Sequence, residues 1–503
     1  MTTAPAAPTR PNALAFADAV FDPGTFRSWD TAAEPEPESG PYADALAAAR
    51  AHSGTDESVR TGEARVAGHR VAVLLGEFDF LAGSIGAAAA NRLIAAIHRA
   101  GTERLPLFAA PVSGGTRMQE GTPAFVRMID ITAAIVAHKA AGLAYLVHLR
   151  HPTTGGVLAS WGSLGHITTA EPGALIGFLG PRVYEALHGE PFPAHVQRAE
   201  NLHRRGVLDA VLPPTELRRL IADTLDLLRK DESTAEDGIE VEVEVKVEVE
   251  VDVEVAPIPT TRPNPRATSD IWRSVGYTRD VRRPGLDNLL RAADKLVPLS
   301  GTGAGERDDA MRLALARIGG TACVVVGHDR ERAAEAGPVG PGGLRTARRG
   351  IRLAAELGLP LLTVVDTAGA ALSPAAEEGA LAAEIARCIA ELGALTVPTV
   401  SLLLGEGAGG AALALLATTR RIATEHAWLA PLPPEGASAI LHRTPHHAPT
   451  IARTQHIATP DLLRTGFIHR IVNEPTPSEA HFIPHLTKAI TQEFTNQPSP
   501  SGA

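Results

Sequence analysis

Four short turns of small residues carry the main chemical signal of the sequence. They are Ser113-Gly114-Gly115 and Thr154-Gly155-Gly156 in the first half, and Thr367-Ala368-Gly369 and Gly409-Gly410-Ala411 in the second. Each turn follows a strand-like run, and the second turn of each pair opens an apolar helix. Glycine lets the backbone approach a ligand closely, and a helix N-terminus presents free N–H groups. Two such turns predict an oxyanion hole, which suits the enolate of a thioester. The alternative is that the glycines only permit strand-to-helix turns.

Side-chain catalysts are hard to find in this chain. It contains no G-x-S-x-G elbow, no H-E-x-x-H and no P-loop. His148, His151 and His166 are close in sequence, but strand alternation and turn positions explain them without a metal. We interpret Asp366 as a turn or cap residue and Cys388 as part of a helical core. Chemistry carried by backbone donors and by the substrates themselves fits this pattern.

The elements that must position these turns alternate between strand and helix. VAVLLGEF, from Val71, is an apolar run typical of a strand buried on both faces, and the segment 83–100 then reads as a helix. Further strand-like runs begin near residues 105 and 143, each followed by a helical pattern. This alternation predicts an α/β fold with a mainly parallel sheet.

The second half of the chain repeats the first. The matched positions are Pro106 and Pro360, Gly115 and Gly369, Gly156 and Gly410, and Glu171 and Glu425. Every pair is 254 residues apart in the numbering. Four anchors in one ungapped register indicate two copies of one α/β unit.

Composition excludes several classes of protein. The 503 residues carry a net charge of −10, which argues against a nucleic-acid binder. Two cysteines allow neither a disulfide framework nor a four-cysteine zinc site, so we expect a reducing cytoplasmic location and no metal. The most apolar stretch, 396–419, is interrupted by Glu406 and four glycines and reads as a buried strand and helix, not a membrane span.

Longer motifs resemble a known family. SGGTRMQEG (113–121), HPTTGGVLAS (151–160) and AEPGALIGFLGPRV (170–183) are similar to the β subunit of the acetyl-CoA carboxylase carboxyltransferase, as are FDPGTFRSWD (21–30) and GEFDFLAGSIG (76–86). The segments 365–387, 403–415, 433–441 and 457–463 resemble the α subunit. The resemblance covers roughly 20–225 and 270–475. It implies a fusion, β-type half first, with two homologous crotonase-like (ClpP/crotonase) ββα-superhelix domains in tandem.

We divide the chain accordingly. The expected parts are an N-terminal arm (1–60) with a helix near 42–52, a β-type acyl-CoA domain (61–230), an acidic low-complexity linker (231–265), an α-type biotin domain (266–490) and a disordered tail (491–503). The linker contains IEVEVEVKVEVEVDVEV, whose alternation is also compatible with a single edge strand.

The resemblance implies transfer of a carboxyl group from carboxybiotin, on a biotin carboxyl carrier protein, to an acyl-CoA. Acetyl-CoA and malonyl-CoA are the expected substrate and product, and biotin carboxylase is a further expected partner. Gly155 and Gly156, with Gly114 and Gly115, would hold the acyl oxyanion. The turn Gly409-Gly410-Ala411, with Gly369 and Ala370, would hold the biotin ureido oxygen. Arg117, Thr367 and Gly407 are further candidate ligand contacts, with a surface or capping role as the alternative for Arg117. The expected assembly is a homodimer or higher homo-oligomer, each site using the N-terminal half of one chain and the C-terminal half of another.

This sequence departs from the family pattern at several positions. β subunits commonly carry a four-cysteine zinc ribbon, and no cysteine precedes Cys323 here, so zinc is not expected. Ala368 replaces the usual proline, Ala371 the usual tyrosine, and Ala411 a usual second glycine. One alternative is a biotin-independent malonate decarboxylase, which is built from similar paired units and acts on a malonyl thioester. The other is a non-catalytic carboxylase scaffold, which the changes at Ala368 and Ala411 favour.

Overall fold

The computed structural model describes residues 11–34, 39–180, 184–185, 189–228, 271–474 and 479–497. The predicted linker at 231–265 lies outside these residues. In the first half the strands are β1 (Arg27–Ser28), β2 (Val59–Val66), β3 (His69–Gly76), β4 (Leu107–Ala110), β5 (Tyr145–Leu149), β6 (Thr153–Thr154), β7 (Ile167–Ala170), β8 (Ile176–Gly177) and β9 (Ala210–Val211). The helices are α1 (Ala13–Val20), α2 (Pro41–Ser53), α3 (Ala87–Thr102), α4 (Thr122–Ala140), α5 (Gly155–Leu158), α6 (Ala199–Arg204) and α7 (Pro214–Leu228).

The second half has a matching series of elements. Its strands are β10 (Lys295–Leu299), β11 (Met311–Ile318), β12 (Thr321–His328), β13 (Leu361–Thr367), β14 (Thr399–Ala408), β15 (Arg420–Thr424), β16 (Trp428–Ala430) and β17 (Arg470–Val472). Its helices are α8 (Ile271–Thr278), α9 (Leu286–Arg291), α10 (Arg330–Ala336), α11 (Pro341–Leu357), α12 (Pro374–Glu378), α13 (Leu381–Gly393), α14 (Gly409–Leu413), α15 (Pro434–His442), α16 (Ala448–Thr454), α17 (Thr459–Arg464) and α18 (Glu479–Thr495).

Two large sheets have the same topology. The first runs β1-β2-β3-β4-β5-β7-β9 and the second β10-β11-β12-β13-β14-β15-β17, with β16 paired to β14. In both, the first three strands are antiparallel and the rest are parallel. The register is also the same, because Leu107 pairs with Tyr145 and Leu361 pairs with Thr399. The α/β prediction is thus confirmed, and the duplication is visible in strand order and register.

The antiparallel hairpins were not predicted from the sequence. Strands β2 and β3 are joined by Ala67 and Gly68, and β11 and β12 by Gly319 and Gly320, all at positive φ. Two consecutive residues in that region define the type I′ turn that suits a hairpin. Since β2 begins at Val59, the expected boundary at residue 60 cuts a strand. The predicted helix near 42–52 is confirmed by α2.

Helices cover both faces of each sheet, which explains why the parallel strands are apolar on both sides. Helices α1 and α7 pack on one face of the first sheet, and α9 and α18 on one face of the second. The other faces share a single cluster of buried apolar side chains that includes Ile135 of α4 and Ile389 of α13. The two halves of one chain are therefore packed together through a common core.

The C-terminal boundary differs from the expectation. Helix α18 continues to Thr495, and its Phe494 side chain is buried in the second half's core. Gln497 then bonds Thr399 of β14 through both its oxygen and its nitrogen. The segment 491–497 therefore belongs to the domain, and the expected tail at 491–503 is wrong for these residues.

Candidate active site

The two turns of the first half lie against each other. Gly115 has φ +112° and Gly155 has φ +62°, conformations that favour glycine. A Cβ on Gly115 would lie 3.4 Å from the Gly155 Cα and 3.5 Å from the Gly156 nitrogen. Backbone bonds join the segments, with Thr154 N–H donating to the Ser113 carbonyl at 2.9 Å. The sequence therefore brings its two predicted turns into one site.

Among the four predicted donors of this half, three N–H groups already have acceptors. Gly114 donates to the Ala82 carbonyl (2.8 Å) and Gly155 to the Phe178 carbonyl (3.1 Å). Gly115 donates to Ser113 Oγ at 2.9 Å. The N–H of Gly156 has no acceptor among the described residues, because it lies in the first turn of α5, where intrahelical acceptors are lacking. Gly156 is thus the open donor, and the other three glycines shape the turn around it.

The loop behind this site is under backbone strain. Leu81 and Ala82 have φ of +46° and +56°, a region that non-glycine residues rarely adopt. Gly83 follows at φ +65°, where a Cβ would lie 2.1 Å from the Val112 carbonyl oxygen. Through the Ala82 carbonyl this loop holds Gly114. Strained backbone of this kind occurs where surrounding structure fixes a functional geometry.

Arg117 is not available to a ligand phosphate. Its side chain is 1% exposed and ion-paired with Glu57, and it also donates to the Ser84 carbonyl at 2.7 Å. Desolvation lowers the pKa of Arg117, but the hydrogen bond and charge of Glu57 and the charge of Glu120 outweigh it, so the pKa is raised overall. The expected CoA contact is therefore wrong, and Arg117 instead anchors the turn. Glu57 was missed because it lies in the segment interpreted as an arm.

The second half repeats the backbone of the first. Gly369 has φ +132° and Gly409 has φ +64°. Gly369 N–H donates to Thr367 Oγ1 at 3.1 Å, as Gly115 does to Ser113. Thr367 therefore holds the turn from within. The N–H groups of Gly410 and Ala411, in the first turn of α14, have no acceptor among the described residues.

The surroundings of this second turn differ from those of the first. Gly409, Gly410 and Ala411 are buried, whereas Gly155 and Gly156 are half-exposed. A Cβ on Gly410 would lie 2.9 Å from both Ile385 Cδ1 and Phe178 Cζ. Phe178 belongs to the first half, so a first-half side chain packs on the second-half turn. Ala370, which follows the other turn of this half, is also buried.

Gly407 does not belong to the turn surface. It lies inside β14, paired with Thr367 on one side and Leu429 on the other. A Cβ there would lie 2.7 Å from the Trp428 carbonyl oxygen. The expected ligand contact at Gly407 is therefore wrong, because this glycine serves close packing between strands.

Two carboxylates are buried beside the second-half turn. Asp366 Oδ1 accepts the Glu406 N–H at 3.0 Å, which ties the ends of β13 and β14 together. Burial raises the pKa of both carboxyl groups, and Arg279 bonds Glu406 at 2.7 Å. Asp366 thus has a structural role, but it lies within β13, whereas the sequence indicated a turn.

The three histidines that lie close together in the sequence of the first half have separate partners. His148 bonds Thr169 Oγ1 at 2.9 Å, and burial lowers its pKa to about 3. His151 and His166 accept backbone N–H groups from Leu175 and Tyr145. Within the described ranges, no three His, Cys, Asp or Glu side chains converge as a metal site requires. Cys388 is a buried core residue, and burial raises its pKa.

Membrane insertion is a separate question. In the part of the chain that the structure describes, no helix is both long enough and apolar enough to cross a membrane.

Comparison with known proteins identifies the family. The carboxyl transferase domain model matches residues 13–474. The chain is 53% identical over 480 residues to the probable biotin-dependent acyl-coenzyme A carboxylase beta3 subunit of Mycobacterium tuberculosis (strain ATCC 25618 / H37Rv), covering 94% of this chain and 92% of the relative. It is 36% identical over 489 residues to the acetyl-coenzyme A carboxylase carboxyl transferase subunits beta/alpha of Salinispora arenicola (strain CNS-205), covering 94% and 84%.

A solved transcarboxylase 12S structure, with methylmalonyl-coenzyme A and methylmalonic acid bound, aligns over 98% of this chain and 92% of its own. Its 18% identity and TM-score of 0.36 are too low to carry a conclusion.

The family match shows that the protein is an enzyme that transfers carboxyl groups, a carboxyltransferase. The chain belongs to the carboxyl transferase domain family, and the resemblance found in its sequence is confirmed.

Proposed function

We propose that the protein is the carboxyltransferase component of a biotin-dependent acyl-CoA carboxylase, with acetyl-CoA as substrate and malonyl-CoA as product. The family match and the printed functions of its relatives support the reaction class. The observation that carries the mechanism is the Gly156 N–H, which opens a helix and has no acceptor among the described residues.

The first half would hold the acyl-CoA. An N–H aimed at the thioester oxygen becomes more strongly bonded as that oxygen gains negative charge, so it stabilises the enolate more than the ground state. Ser113 and the strained loop at 81–83 keep the neighbouring turn in place, so the donor is positioned before substrate arrives. Electrostatic preorganisation of this kind lowers the barrier without reorganisation during the reaction.

The second half would hold biotin. Carboxybiotin, when bound, supplies the carboxyl group and, after release of carbon dioxide, a base for the α-proton. Gly410 and Ala411 present N–H groups at the start of α14 that fit an oxygen acceptor such as the ureido oxygen. Because this turn is buried beneath Phe178 and Ile385, access requires movement of a side chain or approach from another side.

The titratable side chains near the turns are engaged in structure. Asp366 bonds a backbone amide, Glu406 bonds Arg279, and Arg117 bonds Glu57. This supports a mechanism in which backbone donors act and the substrates provide their own acid–base chemistry. No resident metal is part of the proposal.

The proposed assembly includes a biotin carboxyl carrier protein, biotin carboxylase and a second copy of this chain. We also propose that each sheet unit is a crotonase-like domain, which the repeated strand order supports. In a homodimer, the acyl-CoA half of one chain would face the biotin half of the other.

The reverse reaction tests the proposal. Purified protein is incubated with malonyl-CoA and biocytin, without added zinc, and acetyl-CoA is measured. We expect acetyl-CoA formation that depends on biocytin. Equal decarboxylation without biocytin would favour a malonate decarboxylase, and no turnover would favour a scaffold. Stoichiometric zinc in the pure protein would contradict the absence of a metal role.

A further inference from the structure

Glu377 connects the two halves at the level of their turns. It lies on α12, eight positions after Gly369 in the second half, yet its contacts are in the first half. Its Oε2 accepts the Phe178 N–H at 2.9 Å, and its Oε1 accepts the Leu179 N–H at 2.9 Å. Gln197 donates a third bond to Oε1 at 2.8 Å. A side chain of the second half therefore holds the backbone of the first.

Burial means that the Glu377 carboxylate depends on these three hydrogen bonds. Glu377 is 7% exposed, and an isolated carboxylate at such a position is costly unless donors replace its water. Desolvation raises the pKa of Glu377, while two backbone N–H groups and the Gln197 amide lower it. Two backbone amides that point at one acceptor define where both Phe178 and Leu179 must lie.

The segment 176–179, which Glu377 holds, is hydrogen-bonded to the residues just before Gly156. Strand β8 pairs with β6, so Thr153 lies opposite Ile176 and Thr154 opposite Gly177. One residue further on, the Phe178 carbonyl accepts the Gly155 N–H at 3.1 Å. Gly156, whose N–H is the proposed oxyanion donor, is the next residue.

We propose that Glu377 is a positioning residue for the Gly156 N–H, acting through the backbone of Phe178 and Gly155. This inference rests on the proposed function, because it assigns the positioned donor to the acyl oxyanion. Glu377 does not touch the reacting atoms. Glu377 belongs to the second half, which carries the proposed biotin turn. The geometry of the acyl-CoA turn in the first half therefore depends on a residue of the second half of the same chain.

Glu377→Gln is the sharpest change, because the side chain keeps its shape but presents an NH₂ group toward one backbone N–H. The matched control is Glu378→Gln. Glu378 is the next residue of the same helix and also reaches the first half, through Asn201 at 2.9 Å and Arg205 at 2.6 Å. Among the described residues, Glu378 forms no hydrogen bond or ion pair with the 176–179 segment, so its variant reports the loss of a polar contact between the halves alone.

Two measurements on the full-length protein test the inference. In the malonyl-CoA assay, Glu377→Gln should lower kcat by about tenfold or more, since a displacement of about 1 Å costs up to ~10²-fold. Its KM for malonyl-CoA should stay within about twofold, because an oxyanion donor acts mainly in the transition state. Hydrogen exchange across 151–160 should become faster in this variant. Glu378→Gln should stay within about twofold of wild type in kcat and leave that exchange unchanged.

Several outcomes would overturn the inference. Wild-type kcat in Glu377→Gln would do so, as would equal losses and equal exchange changes in both variants. If Glu377→Gln does not fold, Gln197→Met removes one of the three bonds, and an unchanged kcat there would also refute it. Faster exchange in Glu377→Gln, together with a wild-type protein that lacks carboxyltransfer activity, would uphold the link while refuting the proposed function.

Discussion

The two halves of this chain carry the same turns in different surroundings. Gly155 and Gly409 share a φ near +60°, and Gly115 and Gly369 share a larger positive φ. Yet Gly156 is half-exposed with an open amide, whereas Gly410 is buried against Phe178 and Ile385. Duplication preserved the backbone geometry that glycine permits. The side chains packed around each copy decide which turn is open to a ligand.

The supports behind the turns also diverged. In the first half Arg117 and Glu57 form a buried ion pair that anchors the loop. At the matching place in the second half stands Ala371, whose N–H bonds the Val339 carbonyl as Arg117 N–H bonds that of Ile85. The backbone bond was therefore kept while the charged anchor was not. Breaking a buried pair leaves an uncompensated charge, so the first-half turn depends more on its side chains.

The largest expected effect is at the open turn. A Cβ on Gly156 would lie 2.6 Å from Thr116 Oγ1, so the branched side chain in Gly156→Val must displace either Thr116 or the turn and would crowd the N–H. We expect kcat for acetyl-CoA formation from malonyl-CoA to fall by ~10²-fold or more, the scale for losing one oxyanion donor. His151→Ala is the control, since the His151 ring accepts a local backbone bond from Leu175 and removing it leaves the N–H groups of both turns in place. A greater loss in His151→Ala would mean that a side chain, not the backbone, is the catalyst.

The next effect tests whether the two halves of one site come from different chains. Inactive Gly156→Val and Gly410→Val proteins are mixed under conditions that exchange subunits. In a homodimer with crossed sites, each mixed dimer has one intact site, so activity should return to about a quarter of wild type after random exchange. Unmixed variants incubated in parallel provide the baseline. No recovery, with exchange demonstrated by a tagged chain, would place each site within one chain.

The smallest effect sharpens the contrast between the open and covered turns. Gly410→Ala places a methyl group 2.9 Å from Phe178 and Ile385, so we expect a several-fold higher KM for biocytin. Phe178→Ala in the same protein should relieve part of this loss, with a coupling of about 1 kcal/mol. Gly156→Ala serves as the control, and Phe178→Ala should not relieve it. Additive effects at Gly410 and Phe178 would show that the ring does not restrict that turn.

Much of the architecture was accessible from residue patterns. Apolar runs and intervening helices predicted the parallel strands, because both follow from local periodicity. The strand from Val71 was predicted and is β3, but its hairpin partner β2 at 59–66 was missed, because β2 has polar residues such as Arg60 and Glu63 within it. The C-terminal domain boundary at 490 was placed inside α18 for a different reason. Phe494 and Gln497 gain their partners only from strands and helices far away in sequence.

The candidate site was predicted in part. Matched spacing located all four turns. A turn that needs positive φ favours glycine, so the glycines at equal spacing show where the turns lie. It did not show which amides are already bonded, because those acceptors, such as Ala82 and Phe178, come from other segments. It also misassigned Arg117 and Gly407. An arginine looks the same in sequence whether it faces a phosphate or a buried glutamate.

The sequence by itself determined the α/β class, the duplication, the positions of the donor turns and the carboxyltransferase family. These properties depend on local backbone preference and on repeated spacing, and both can be read from the order of the residues. Only the tertiary structure decided that Gly156 is open, that Gly410 is covered and that Glu377 reaches across to Phe178. Those contacts join residues as far as 232 positions apart in the case of Gly410 and Phe178. Their existence depends on how two packed halves place their side chains, which no local pattern specifies.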